Sequence, residues 1–137
     1  TQAKGLTYHY LAQCHMGLNE HSKALEYYHQ ALKLFKHSRY YNELSVVYMG
    51  LGTFYQDLGG YSNTEVYFNK ALDMRLMRGF WHGACQAYVA LYNLYKAMGD
   101  KQVAHDMLLS GIHLAKEQQL PAWIKEFEVL IEEAKNT

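Results

Sequence analysis

Eight histidines in 137 residues are the side chains here best suited to chemistry, since each can hold a metal or move a proton near neutral pH. Helical zinc ligands usually stand four positions apart on one face, as in H-E-x-x-H. No histidine pair in this sequence has that spacing. His29 and His37 are eight apart, as are His105 and His113, which separates the rings by two helical turns, so the histidines read as solvated helix-surface groups and not as metal ligands. Gly50-Leu-Gly52 has the glycine content of a phosphate loop, but such loops follow a strand and open a helix, whereas these glycines fall inside an apolar helical pattern. Glu132 and Glu133 are adjacent and so point to different sides of a helix. The sequence has no G-x-S-x-G elbow, no Walker motif and no cysteine pair with metal spacing. The expectation is a chain without catalytic residues, cofactor or metal, and not an enzyme.

Charge narrows the partners. Thirteen basic residues balance thirteen acidic ones, so no broad basic field argues for nucleic acid or an anionic membrane. Lys70, Arg75 and Arg78 form a small basic group that does not continue along the chain, as a solvated outer face does. No apolar run approaches the ~18–20 residues of a membrane span, and TQAKGLTYHY at the start has no apolar signal core. The chain lacks a starting methionine and reads as part of a larger protein. Cys14 and Cys85 stand two repeats apart in the pattern described next, too far to meet a disulfide's Cα separation of ~4.4–6.8 Å. Free thiols suit a reducing compartment and a cytoplasmic location.

The elements that carry these residues recur. Asn19, Gly59 and Gly99 stand forty positions apart, and all three are residue types that tolerate the positive φ of a tight turn between helices. Before each turn lie Tyr8-Leu11-Ala12-His15, Tyr48-Leu51-Gly52-Tyr55 and Tyr88-Leu91-Tyr92-Tyr95. After each lie Ala24-Tyr28-Ala31, Thr64-Phe68-Ala71 and Ala104-Leu108-Gly111. These spacings of three, four and seven share one helical face, which predicts helices at about 3–17, 21–37, 41–58, 61–78, 80–98 and 101–118. Pro121 suits the first turn of a last helix at 121–135. Trp123, Phe127, Leu130, Ile131 and Ala134 form its apolar face, while Glu132 stands where a further repeat would place its small packing residue. That helix reads as a cap on the end of the stack.

Three helix-turn-helix units in register, with Tyr48-Met-Gly-Leu51-Gly52-Thr-Phe-Tyr55 as the best match, resemble the tetratricopeptide repeat, whose pattern runs aromatic, Leu-Gly, Tyr, turn, Ala, aromatic, Pro. The resemblance covers nearly the whole chain: repeats at about 4–38, 44–78 and 84–118, then the capping helix, in a single array over 1–137. It implies an all-α solenoid with a right-handed superhelical course. The closing proline is absent, with Lys36, Leu76 and Lys116 in its place, so the second helix of each repeat runs on. The result is a repeat of forty in place of the usual 34, as in the long-repeat arrays of kinesin light chains, GoLoco-binding adaptors and bacterial peptide-sensing regulators. Thr64 replaces the alanine after the second turn. Tyr92 replaces the small residue of the third repeat, so that helix pair is expected to pack less closely or to let the ring swing outward.

In this family the concave wall is lined by the first helix of each repeat. By register, that wall holds Leu6, His9, Gln13 and Met16, then Val46, Met49, Thr53 and Gln56, then Gln86, Val89, Asn93 and Lys96. The amides can pair with the backbone of an extended peptide, and the methionines and valines offer adaptable apolar contact. The paired cations of the family's carboxylate clamp are missing: His9, Gln13, Thr53, Val89 and Asn93 hold the matching places. The resemblance thus implies a scaffold that holds a less charged peptide or a partner helix in its groove. The alternatives are a sensor that responds to a signalling peptide and a module that self-associates through exposed ends. At the joints between repeats, Tyr40-Tyr41, Phe80-Trp81 and Leu120-Pro121 also recur at forty; they either seal the joint or form a rim for a partner.

Overall fold

The structure, a computed structural model, describes residues 2–136. Among these, seven helices follow one another: α1 Gln2–Gly17, α2 His21–Lys36, α3 Tyr41–Asp57, α4 Tyr61–Arg78, α5 Trp81–Ala97, α6 Lys101–Glu117 and α7 Pro121–Lys135. There is no strand among the described residues. The helices are antiparallel pairs of the tetratricopeptide solenoid type. They form two compact units, the first ending at Met74 and the second starting at Arg75 within α4. In the first unit α2 packs on α1 and α3; in the second, α6 packs on α5 and α7.

The turns obey the forty-residue rule because one residue in each must leave the right-handed region. Asn19 has φ 60°, Gly59 φ 79° and Gly99 φ 82°. At each, a hydrogen bond from the residue after it reaches back five positions: Glu20 N to His15 O at 2.8 Å, Gly60 N to Tyr55 O at 2.7 Å, Asp100 N to Tyr95 O at 2.9 Å. This closure satisfies carbonyls that the ending helix leaves open. The joints between repeats use the same device at Gly79, φ 72°, and Gln119, φ 56°. Arg39 stands in that register after α2 and does not adopt it. There the bend is made instead by Ser38, whose hydroxyl donates to Phe35 O at 2.8 Å and accepts from Tyr40 N at 3.1 Å. Asp100 caps α6 by accepting from Val103 N at 3.2 Å.

Packing within the pairs depends on matching large groups with small ones. A Cβ added to Gly5 would overlap the Phe35 ring, one on Gly52 the Phe68 ring, and one on Gly111 the Phe127 ring. Phe35, Phe68 and Phe127 are all fully buried. Tyr92 keeps to this rule in reverse. It is 5 % exposed, so the ring does not swing outward. The register that pairs Ala12 with Tyr28 and Gly52 with Phe68 pairs Tyr92 with Leu108: the larger group has moved to the first helix and the smaller to the second. Thr64 fits the alanine position because its hydroxyl donates to Gly60 O, just before its helix, at 3.1 Å, which meets the need of a buried polar group.

Of the residues at the repeat joints, Tyr41, Phe80, Trp81 and Leu120 are half-buried and Pro121 is exposed. Tyr40 is more open, with its ring edge-to-face on Phe35 at 6.1 Å. Cys85 is buried and Cys14 exposed, both as free thiols, and burial pushes the Cys85 thiol up to about 11.

Gly52→Ala and Gly111→Ala should each lower the free energy of unfolding by about 1–3 kcal/mol, the usual cost of overpacking a filled core. Gly17→Ala, where an added methyl meets no atom within 4 Å, should not destabilise; urea unfolding of the three variants checks this. Under native conditions Cys14 should react with a thiol reagent and Cys85 should not until the chain unfolds, as mass measurement after timed labelling would show.

Candidate partner-binding faces

In the first unit the residues assigned to the wall divide by burial. Gln13 and Thr53 are exposed, while Leu6, Met16, Val46, Met49 and Gln56 are half-buried. Leu6 and Met16 lean on the core, and the Met16 sulfur lies 3.4 Å from His21 Nδ1. Thr53 donates its hydroxyl to Met49 O at 3.0 Å, a bond within α3. Of the first-unit residues assigned to the wall, Gln13, Val46, Met49, Thr53 and Gln56 thus keep some or all of their side chain accessible.

His9 does not belong to that surface. It is 3 % exposed, with its ring 5.8 Å from that of Tyr28 and close against Gly50, where an added Cβ would lie 3.1 Å from His9 Cε1 and 2.7 Å from Tyr28. The absence of a side chain at Gly50 is what admits both rings. Nδ1 of His9 has no hydrogen-bond partner among the described residues, and burial holds its pKa below the ordinary 6.5. The same burial, with Asp57 adding to it, pushes the Tyr28 phenol up to about 12. These are core groups kept neutral.

In the second unit, Gln86 and Asn93 are exposed and Val89 is half-buried between them on α5. Lys96 is exposed, with Nζ 5.0 Å from the Tyr92 ring centroid. Val89 shares an open depression of about 340 Å³ with His82, Ala122, Trp123 and Glu126. Its indole is fixed: Trp123 Nε1 donates to His82 Nδ1 at 2.6 Å, which requires that nitrogen to be unprotonated, and the ring leans on Phe127 at 5.8 Å. The first unit ties α1 to α3 at the corresponding place, where Gln2 Nε2 donates to Glu43 Oε1 at 2.9 Å. Sequence spacing alone offered no signal for either tie, since both join residues 41 apart in different repeats.

The face therefore offers hydrogen-bonding amides beside apolar contact, with one indole and one carboxylate in the second unit. No group of three or more histidine, cysteine, aspartate or glutamate side chains among the described residues is placed to hold a metal. Among them, too, no helix is long and apolar enough to cross a membrane.

Comparison with known proteins agrees with this arrangement. A family profile described as tetratricopeptide repeat matches residues 5–38. No curated protein matches the sequence. Among solved structures, aspartyl phosphate phosphatase F from Bacillus subtilis is similar over 97% of this chain, with a TM-score of 0.83 and 16% identity. The chain spans 35% of that protein's length. BtubC (BKLC) from P. vanneervenii is similar over 96% of the chain and 64% of its own, with a TM-score of 0.64 and 18% identity. At such identities the likeness is one of fold.

His9 gives the face a pH-dependent foundation. A histidine held neutral by burial contributes stability that is present above its unfolded pKa and is lost as pH falls through the lower folded value. Urea midpoints should hold steady around neutral pH and then fall as the pH drops below 6.5, the ordinary value. The difference between wild type and His9→Gln should carry a slope of up to ~1.4 kcal/mol per pH unit, that of one proton; equal pH profiles for the two would contradict it.

Proposed function

We propose that this chain, whose residues 5–38 match a tetratricopeptide repeat, holds a peptide or helical segment of a partner protein on its first helices. Repeats of this kind are generally protein-interaction folds, which fits a face that offers hydrogen bonds and apolar contact. In this reading the module serves as a scaffold within a larger protein.

The observation that carries the reading is the surround of Val89. An apolar side chain is half-exposed at the edge of an open depression floored by a hydrogen-bonded indole, and exposed Gln86 and Asn93 flank it on the same helix. Rigid aromatic groups in such settings are the usual anchors of protein recognition, and amides beside them can bond a partner's backbone in either sense. In the first unit Met49 and Val46 supply contact that adapts to shape, with Gln13 and Gln56 as the polar companions.

Met49→Arg and Val89→Arg each place a cation on this face without entering the buried core. Captured proteins from cell lysate, identified by mass spectrometry, should include a set retained by wild type and by Lys33→Glu, an exposed change on α2, but lost with the arginine variants. Melting curves should match throughout. The same captured set with all four forms would exclude these faces as the binding surface.

A further inference from the structure

The second unit contains a cavity that its counterpart in the first unit fills. It lies between the end of α5, the start of α6 and the end of α7, with a volume of about 240 Å³. Tyr92, Ala104, Ile131 and Ala134 line it, and Lys96, Lys101, His105 and Lys135 complete its wall. The repeat register sets Ala134 eighty positions after Phe54. In the first unit the Phe54 ring is buried, edge-to-face with Tyr28 at 6.2 Å and with His21 at 6.3 Å. Met16, Leu25 and Tyr55 close around that core. Where those apolar groups stand, the second unit has Lys96, His105 and Lys135, and where the phenyl ring stands it has only a methyl group.

We propose that this cavity binds a small aromatic carboxylate. The missing ring defines the apolar part of the ligand, since an aromatic group is what the equivalent space holds in the first unit. The volume agrees: a cavity of ~150 Å³ takes one benzene ring, so this one takes a ring with a short arm. Tyr92 gives the ring an aromatic neighbour. The lysines define the other end. Lys96, Lys101 and Lys135 are all exposed, so their ammonium groups stay hydrated while their stems border the apolar space. Glu132 lies 3.7 Å from Lys135 and Asp100 accepts from Val103 N; both keep their charge, and against them the three lysines leave an excess of positive charge at the mouth, which favours an anion. An amine of the same shape would be repelled, and a small anion without a ring would leave Ile131 and Ala134 uncovered.

The test is titration of the isotopically labelled chain with 3-phenylpropionate, followed by amide resonances in two-dimensional spectra at low salt. Amides of Tyr92, Ala104, Ile131 and Ala134 should shift saturably, and 3-phenylpropylamine should act at least about tenfold more weakly, as the reversal of one charge beside several ammonium groups implies. Ala134→Phe restores the missing ring: it should abolish the shifts and raise the unfolding midpoint. Lys101→Glu, an exposed change that spares the packing, should weaken the acid by about threefold or more. Equal potency of acid and amine would overturn the proposal, as would no saturable shift at millimolar acid. Unaltered binding by the Lys101→Glu variant or by a folded Ala134→Phe variant would do so too.

Discussion

Two helices that pair closely leave room, at the buried centre of their seam, for one large side chain and not two. That constraint governs this chain. Phe35 is admitted by Gly5, Phe68 by Gly52 and Phe127 by Gly111, and each ring is fully buried. The small residue can stand on either helix, because what matters is the sum across the pair. Tyr92 with Leu108 is the same rule with its terms exchanged, and Gly111 with Phe127 at the joint of α6 and α7 widens the small-and-large pairing that Ala31 and Val47 make in register in the first repeat.

Function follows from what such packing leaves outward. Once one face of each first helix is committed to its partner, the opposite stripe is free to carry Gln13, Thr53, Gln86 and Asn93, all exposed. The α7 helix shows the limit of the pattern. The positions that receive the second helix's ring in α1 and α3, such as Gly5 and Gly52, are Lys125 and Glu132 in α7, both exposed. A second helix packed there would have to bury these charged groups. Its Trp123 adds to the second unit's face an aromatic that the first unit lacks, and its Ala134 opens the cavity. Both features arise where the helix stops conforming to the repeat.

Local signals in the sequence were strong wherever one residue type has a physical monopoly. The positive φ at Asn19, Gly59 and Gly99 was legible because few residues accept it, and the helices followed from apolar spacing to within a few residues. Gly79 and Gln119 take the same conformation but were not legible, since Arg39 breaks the forty-residue series and glutamine is no turn signal. His9 was assigned to the wall because helical register places it there; its burial depends on the empty volume over Gly50, a relation between two repeats that no local pattern records. The fate of Tyr92 required comparing the partner position, Leu108, and not the position itself. The cavity was hidden for the same reason, because Ala134 reads as one more apolar residue on a capping helix until it is set against Phe54.

The most direct test of the packing rule is to build the third repeat's exchange into the second. Gly52→Tyr alone should be severely destabilised, because Phe68 already occupies the space, and Phe68→Leu alone should lose the stability that goes with a smaller core group. Unfolding free energies of the wild type, both single variants and the Gly52→Tyr, Phe68→Leu double variant give the coupling between the two sites. The account predicts that the double variant is more stable than Gly52→Tyr alone, with a coupling of at least ~1 kcal/mol. Additive losses would show that the two positions do not share one volume, and would contradict it.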